Sequence, residues 1–306
     1  MQVIKSPLAD ARGWFYFMLS ISSHSRVLAI IGDPIEHSIS PRIQNAAWQK
    51  ANSDHALVAC RVATDNLATA VRGARDLGFL GLMVTIPHKE RVLDLCDELD
   101  QSARDVGAAN LLHFRADGKT VGYSSDGWAA VKDLAEHGVS ICNRKIVILG
   151  AGGAARSLAL TFAREGAQEI RVLNRTLERA QKIVNEVAAL DVNCLASGID
   201  TISMREHLHD ADLLVNATSI GMSPHVDETP ITPELLRPKL AVYDIVYNPL
   251  ETRLLREARD IGATALDGLG MLIGTNIRAA QICANVDLSW DVMREEALRA
   301  LSEKRQ

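Results

Sequence analysis

From Val27 onward the chain alternates between short apolar, β-branched runs and longer stretches whose apolar residues recur at helical spacing. Val27 to Ile31, Ala56 to Val62 and Leu80 to Ile86 read as strands, and the intervals between them as crossover helices. This is the pattern of an α/β chain built on a mostly parallel sheet. Asp65 to Leu77 shows the helical interval clearly: Leu67, Ala70, Val71, Ala74 and Leu77 share one face, Thr64 is placed to cap the start, and Gly78 to end it. A second series begins after Asp126. Gly127 to Gly138 reads as one helix, Lys145 to Leu149 as a buried strand running into glycines, and Glu169 to Leu173 and Leu213 to Ala217 as further strands. Met271 to Ala284 and Asp291 to Leu301 are helical again after the turn Gly268-Leu269-Gly270, and are placed to pack back on the first unit. The expected organisation is an extension over 1–24, a first α/β domain over 25–127 completed by 269–306, and a second α/β domain over 128–268.

Composition narrows this picture. A chain of 306 residues, 47% hydrophobic, is long enough for two cores. A net charge of -5 with interspersed signs leaves no basic stripe for phosphates, so nucleic acid is not an expected partner. Cys60, Cys96, Cys142, Cys194 and Cys283 are odd in number and far apart, which reads as reduced thiols in a cytoplasmic protein. No histidine pair has ligand spacing, so no metal is expected. The apolar run Trp14 to Ile21 is too short to cross a bilayer, and no clear small-residue cleavage site follows it. It is read as part of the extension, with Met18 as an alternative start, and no membrane partner is expected.

Candidate chemistry enters first at the second unit. The strand Lys145 to Leu149 runs into Gly150-Ala151-Gly152-Gly153-Ala154-Ala155 and then a helix, the context that gives a dinucleotide fingerprint its physical reason. Gly150 permits the tight turn, Gly152 lets backbone approach a pyrophosphate, and Ala155 allows close helix packing beside an N-terminus that favours anions. The next strand ends in Asn174-Arg175-Thr176, where the adenosine ribose is normally read. An acidic residue there would select NAD; Arg175 and Thr176, with Arg179 one turn on, offer donors to a 2'-phosphate, so NADP is the expected cofactor. Thr218, Ser219, Gly221 and Met222 form the loop leaving another strand's carboxyl end and are assigned to the nicotinamide side. The unit 128–268 is thus expected to be an NADP-binding Rossmann domain.

In the first unit, Ser38 and Ser40 precede Pro41 at a helix start, either as a carboxylate seat or with Ser40 as a simple N-cap. Thr85-Ile86-Pro87-His88-Lys89 places a lysine at what reads as another helix start, where the dipole disfavours a cation, so a function is expected of it. Asn110 and Asp126 supply an amide and a carboxylate at other segment ends. His37 and His88 flank these motifs, as substrate contacts or as ordinary loop residues.

Together the Ser38/Ser40 loop, Thr85 and Lys89, Gly107 to Asn110, Asp126-Gly127, the glycine turn, Asn174 to Thr176, Asn216 to Met222, Asp244 to Tyr247 and Gly268 to Met271 resemble the shikimate dehydrogenase family from Val27 to the last helix. The resemblance implies hydride transfer at a secondary alcohol of a small cyclic carboxylic acid. It implies a carboxylate held by Ser38, Ser40 and Tyr247, and Lys89 and Asp126 flanking the reacting alcohol. It places Thr85, Asn110 and Thr275 around the ring and Gly270 beside the cofactor. Lys89 is either the proton-transfer residue or an electrostatic stabiliser of alkoxide charge.

Met83, Ser124 and Thr275 stand where the family pattern carries amides, and Ser125 stands for threonine. The expectation is a shikimate-oxidising enzyme, monomer or homodimer, whose pocket has been retuned. Quinate, an aminoshikimate-type acid or another small hydroxy acid are the alternative substrates. A folate-like or amino-acid substrate, or a regulator that kept only the nucleotide fold, are the more distant alternatives.

Overall fold

The computed structural model describes residues 21–303. The apolar run beginning at Trp14, the alternative start at Met18 and most of the extension assigned to 1–24 lie outside the described residues. Two six-stranded sheets organise the rest. In chain order the first half comprises β1 (Arg26–Gly32), α1 (Ser40–Lys50), β2 (His55–Arg61), α2 (Leu67–Asp76), β3 (Gly81–Val84), β4 (Glu98–Leu99), α3 (Gln101–Val106), β5 (Leu111–Phe114), β6 (Thr120–Tyr123) and α4 (Asp126–Glu136). The second half comprises β7 (Lys145–Leu149), α5 (Gly153–Arg164), β8 (Glu169–Leu173), α6 (Leu177–Ala188), β9 (Asn193–Ser197), α7 (Thr201–Leu208), β10 (Leu213–Asn216), β11 (Ala241–Asp244), α8 (Arg253–Asp260) and β12 (Ala265–Leu266). Then α9 (Leu269–Ala284) and α10 (Trp290–Glu303) close the chain. No helix among the described residues is long and apolar enough to cross a membrane.

The central strands β1, β3 and β7 read as apolar runs because both of their faces are covered. Along β1, Leu28 and Ile30 enter a core with α1, α9 and α10, while Ala29 and Ile31 enter another with α2. Along β7, Ile146 and Ile148 pack with α4, α5 and α6, and Val147 and Leu149 with α7 and α8. The second sheet is wholly parallel in the order β12-β11-β10-β7-β8-β9. Its connections run in opposite directions from β7, which leaves a crevice at the carboxyl ends of β7 and β10.

The first sheet is also mostly parallel, as expected, with one strand reversed. Its order is β2-β1-β3-β5-β6-β4, and β5 runs antiparallel to both β3 and β6. The connection 115–119 is too short for a crossover and turns at Asp117-Gly118, with Gly118 at φ +85°, so only an antiparallel return is open to it. Local starts also differ. Thr64 does not cap α2: a 3-10 turn over Thr64–Asn66 precedes it, and Leu77, beyond the last turn, is exposed instead of joining Leu67 and Val71 in the core. Ser40 and Pro41 are the first residues of α1, after Ile39, so the N-cap reading of Ser40 does not hold. Lys89 sits in a turn before the 3-10 segment Arg91–Leu95, not at an α-helix start, so the dipole argument for it falls away.

The two halves meet where α4 crosses α9 at backbone distance. A Cβ on Gly270 would stand 2.0 Å from Asp133 Oδ1, and one on Gly274 2.8 Å from the Ala129 Cβ. On the other side of α4, a Cβ on Gly127 would stand 1.9 Å from Thr161 Oγ1 of α5. Gly270→Ala is therefore expected to lower stability by about 2 kcal/mol or more through overpacking. Gly73→Ala, inside α2 with open space around the new methyl, is expected to raise it by about 0.5–1 kcal/mol. Urea unfolding of both variants checks the pair, and a neutral Gly270→Ala would contradict the packing account.

Candidate active site

The first sheet brings a lysine and a carboxylate together at its carboxyl ends. Lys89 is held by its backbone, whose carbonyl accepts from Ala109 N–H at 2.8 Å. Beside it the His88 ring is fully buried with Nε2 2.7 Å from the Val62 carbonyl, which makes Nε2 the protonated nitrogen and gives His88 a structural place beneath the loop. His37 is exposed. Asp126 is the first residue of α4, where the helix dipole favours a negative charge. Lys89 Nζ donates to Asp126 Oδ2 at 2.6 Å, and Asn110 Nδ2 donates to Asp126 Oδ1 at 2.8 Å. Asn110 Oδ1 accepts from both the N–H and the hydroxyl of Ser125, which fixes the amide with its nitrogen toward the carboxylate.

A cavity of about 120 Å³ opens beside this cluster. Its polar wall is Ser40, Thr85, Lys89, Asn110, Ser125, Asp126 and Thr275, and its apolar wall includes Ile30, Met83, Leu111 and Leu272. Lys89 keeps two further N–H donors beyond the one given to Asp126. Thr275 donates its hydroxyl to the Leu272 carbonyl at 2.8 Å, which leaves only its lone pairs for a ligand. Of the expected substrate residues, Ser38 and Tyr247 do not form part of this wall. Ser38 Oγ accepts from the Ser40 N–H, and Tyr247 packs against the core around α1 and α9. Ser124, one of the positions expected to alter the pocket, lies instead 3.4 Å from Ser157 Oγ at the contact with α5.

The second sheet opens a cleft of about 340 Å³ at the carboxyl ends of β7, β8 and β10. Gly150 must be glycine: its φ is +104°, and a Cβ would stand 2.9 Å from the Ala217 carbonyl. Gly152 and Gly153 are different, because a Cβ on either meets nothing within 4 Å. Protein packing does not demand their bareness, so the space they leave serves a ligand at the N-terminus of α5, and a pyrophosphate fits it. Ala151, Asn174, Arg175, Arg179, Thr218 and Ser219 also line the cleft. Arg175 and Arg179 are exposed, and among the described residues neither guanidinium is paired with a carboxylate. These donors suit an additional phosphate on the ribose.

Other expected cofactor residues lie around the cleft and not in its wall. Ala154 is in the first turn of α5, and the Thr176 carbonyl accepts from Asn174 Nδ2 at 2.8 Å. Gly221 turns the loop at φ +87°, Met222 is exposed, and Gly270 is enclosed against Asp133. Ile220 lies within the loop Thr218 to Met222 expected at the cofactor, whereas Ile199, Met204 and Pro230 of the same apolar wall escaped sequence reasoning, since nothing in the local pattern marks them.

A buried polar network shapes the cleft loop and was also missed. Asn216 and Asp244 are register partners at the ends of β10 and β11, both fully buried. Asn216 Nδ2 donates to Asp244 Oδ1 at 2.9 Å, while Asn216 Oδ1 accepts from the N–H and hydroxyl of Thr218. Thr252 Oγ1 and the Val246 N–H complete the donors around Asp244. Burial pushes the Asp244 carboxyl up to about 6 despite those donors. The signal available in the sequence was two polar residues closing adjacent apolar strands.

The fold and these two sites define an α/β protein with a Rossmann dinucleotide cleft and a lysine-carboxylate cavity at the other sheet. Residues 30–112 match the shikimate dehydrogenase substrate binding domain and 133–244 match shikimate / quinate 5-dehydrogenase. Shikimate dehydrogenase (NADP(+)) of Methanopyrus kandleri is 43% identical over 92% of this chain and 98% of that protein. A crystal structure of a shikimate dehydrogenase in complex with NADP+ superposes with a TM-score of 0.86 at 38% identity, covering 92% of this chain and 98% of the other. The ligand-free 5-ketofructose reductase of a Gluconobacter strain gives a TM-score of 0.85 at 30% identity, covering 91% of this chain and 100% of the other. The chain belongs to the shikimate dehydrogenase family.

The raised Asp244 carboxyl has a pH signature. The native chain binds more protons than the unfolded one between about pH 4 and pH 6, so this contribution is fully present below about pH 4 and is lost as pH rises through about 6. Asp244→Asn, which keeps one acceptor and can reverse the bond to Thr252, should remove that slope. Urea unfolding free energies of variant and wild type would then diverge across pH 4 to 6 and run parallel above 7; parallel curves throughout would contradict the assignment.

Proposed function

We propose that this protein catalyses the reversible NADP-dependent oxidation of shikimate, or of a closely related cyclic polyhydroxy acid, to its 3-dehydro ketone. The observation that carries the reading is the Lys89–Asp126 pair, oriented by Asn110 and facing a cavity of small-acid size. Relatives named for this reaction, NADP(+) included, support it. Residues 25–127 with 269–306 serve as the substrate-binding domain and 128–268 as the NADP-binding domain, the division suggested by the two sheets and the return of α9 and α10 to α1.

NADP, when bound, takes up the hydride in oxidation and supplies it in reduction. The protein's part is orientation and proton handling. Lys89, protonated and held by Asp126, gives a proton to the developing alkoxide oxygen as the ketone is reduced, and takes it back as the alcohol is oxidised. Asp126 accepts from a neighbouring substrate hydroxyl and keeps the ammonium in place. Ser40 stands at the carboxylate end. Arg175 and Arg179 hold the 2'-phosphate, so NADP is preferred to NAD.

Met83 and Thr275 favour a second reading within the same chemistry. Met83 presents a thioether to the cavity and Thr275 has already spent its proton, so both offer a ring hydroxyl less than an amide does. An acid with a different ring substitution, such as an aminoshikimate-type compound with one hydroxyl fewer, or quinate with a saturated ring and one more, then becomes the preferred substrate. Steady-state assays with shikimate and quinate, each with NADP and NAD, separate the readings by their kcat/KM values. No turnover of any of these with either cofactor would overturn both.

Three outcomes are expected in the same assay. Lys89→Ala lowers kcat by about 100-fold or more. Arg175→Ala and Arg179→Ala each raise KM for NADP by about ten-fold and leave that for NAD unchanged. Met83→Asn raises kcat/KM for shikimate; a loss there would show that the thioether belongs to the fit.

A further inference from the structure

Ser40 heads α1 and lines the cavity, and facing it on α9 is Asn276, which is completely buried. Asn276 Nδ2 lies 2.8 Å from the Leu272 carbonyl one turn back and 3.2 Å from Ser40 Oγ. A carbonyl oxygen only accepts, so the nitrogen end of the amide must be the one facing Leu272, and the flipped orientation is excluded. The same nitrogen then donates its second hydrogen to Ser40 Oγ. A hydroxyl that accepts from a fixed amide keeps its single proton for another partner, and among the described residues none takes that proton. Among the described residues the one carboxylate of the cavity wall, Asp126, is already engaged by Lys89 and Asn110.

We propose that Asn276 is a positioning residue that fixes Ser40 as a hydrogen-bond donor toward the carboxylate end of the substrate. This rests on the small-acid reading of the cavity. Packing alone does not explain the amide. Asn276 Oδ1 is buried with no partner, and an unsatisfied acceptor disfavours the folded state, whereas an apolar side chain of similar size would avoid that cost. The return on an amide here is the oriented hydroxyl: Ser40 meets an anion with its proton and not with its lone pairs, and the resulting bond is charge-assisted.

The test is a double-mutant cycle with Asn276→Leu and Ser40→Ala, reading KM and kcat for shikimate and for its methyl ester, which has no carboxylate charge. Asn276→Leu is expected to raise KM for shikimate about ten-fold, to change kcat by less than about two-fold, and to leave KM for the ester unchanged. In the Ser40→Ala background it should add nothing. Asn276→Ala, which introduces no bulk, gives the same reading if the leucine variant does not fold. An equal KM rise in both backgrounds, an equal rise for acid and ester, or no rise at all would overturn the proposal. Wild-type protein that oxidises neither shikimate nor quinate would instead count against the small-acid reading on which it stands; if quinate alone is turned over, the same cycle is read with quinate and its methyl ester.

Discussion

The close approach of α4 to its two neighbours governs where the chemistry sits. Glycines at 270 and 274 let α9 lie against Asp133 and Ala129, and Gly127 lets α5 come up against the opposite side through Thr161. A helix clamped on both flanks cannot slide or rotate without a steric clash, because packed interiors are nearly incompressible. Its first residue is Asp126. The position of the carboxylate, and of the ammonium that pairs with it, is therefore set by contacts along the helix that it begins, from Gly127 beside it to Asp133 two turns on. Asn110 and Ser125 then adjust the last ångström through hydrogen bonds.

Buried polar groups divide into those that serve rigidity and those that face ligands. Asn216 and Asp244 sit where two parallel strands end, and they tie Thr218 and Thr252 into one hydrogen-bonded unit that shapes the rim of the cleft. On the opposite face of β11, Tyr243 donates to Asp133 at 2.9 Å, and burial raises the carboxyl of that aspartate. Satisfied networks of this kind specify a single arrangement more than they add stability. At the open end of the cleft the logic reverses: Gly152 and Gly153 give up side chains, and among the described residues no carboxylate pairs with Arg175 or Arg179. Backbone N–H groups and charges are thereby left for a molecule that is not part of the chain.

The fold was legible wherever burial imposed a period. Two-faced burial produced the apolar runs of β1 and β7, and glycine at position 150, where φ is +104°, marked the turn. Lys89, Asp126 and Asn110 were legible as chemical types, although the reason first given for Lys89, a helix start, was wrong, since the chain makes a turn there. The rest required contacts that no local pattern records. The antiparallel β5 depends on a short return, and Leu77 escapes the core because the helix ends just before it. Asn276 is one of several polar residues in α9, with Thr275, Arg278 and Gln281, and its meaning appears only once α1 places Ser40 opposite it. Met83 and Thr275 were rightly placed at the cavity, whereas Ser124 points its hydroxyl to α5.

The return of the C-terminal helices carries a consequence for how the chain comes to be built. Leu269, Ile273, Met293 and Ala297 belong to the same core as Leu28, Ile43 and Trp48. The face of the first sheet that α9 and α10 cover stays open until those helices, which follow both sheets in the chain, have left the ribosome. The second sheet, assembled from a continuous middle segment, has its partners at hand earlier. Synthesis from the N-terminus thus reverses the order of completion: the half made second can finish first, and the half made first waits with apolar surface uncovered. The interval between those two moments is when this protein most needs protection from its neighbours.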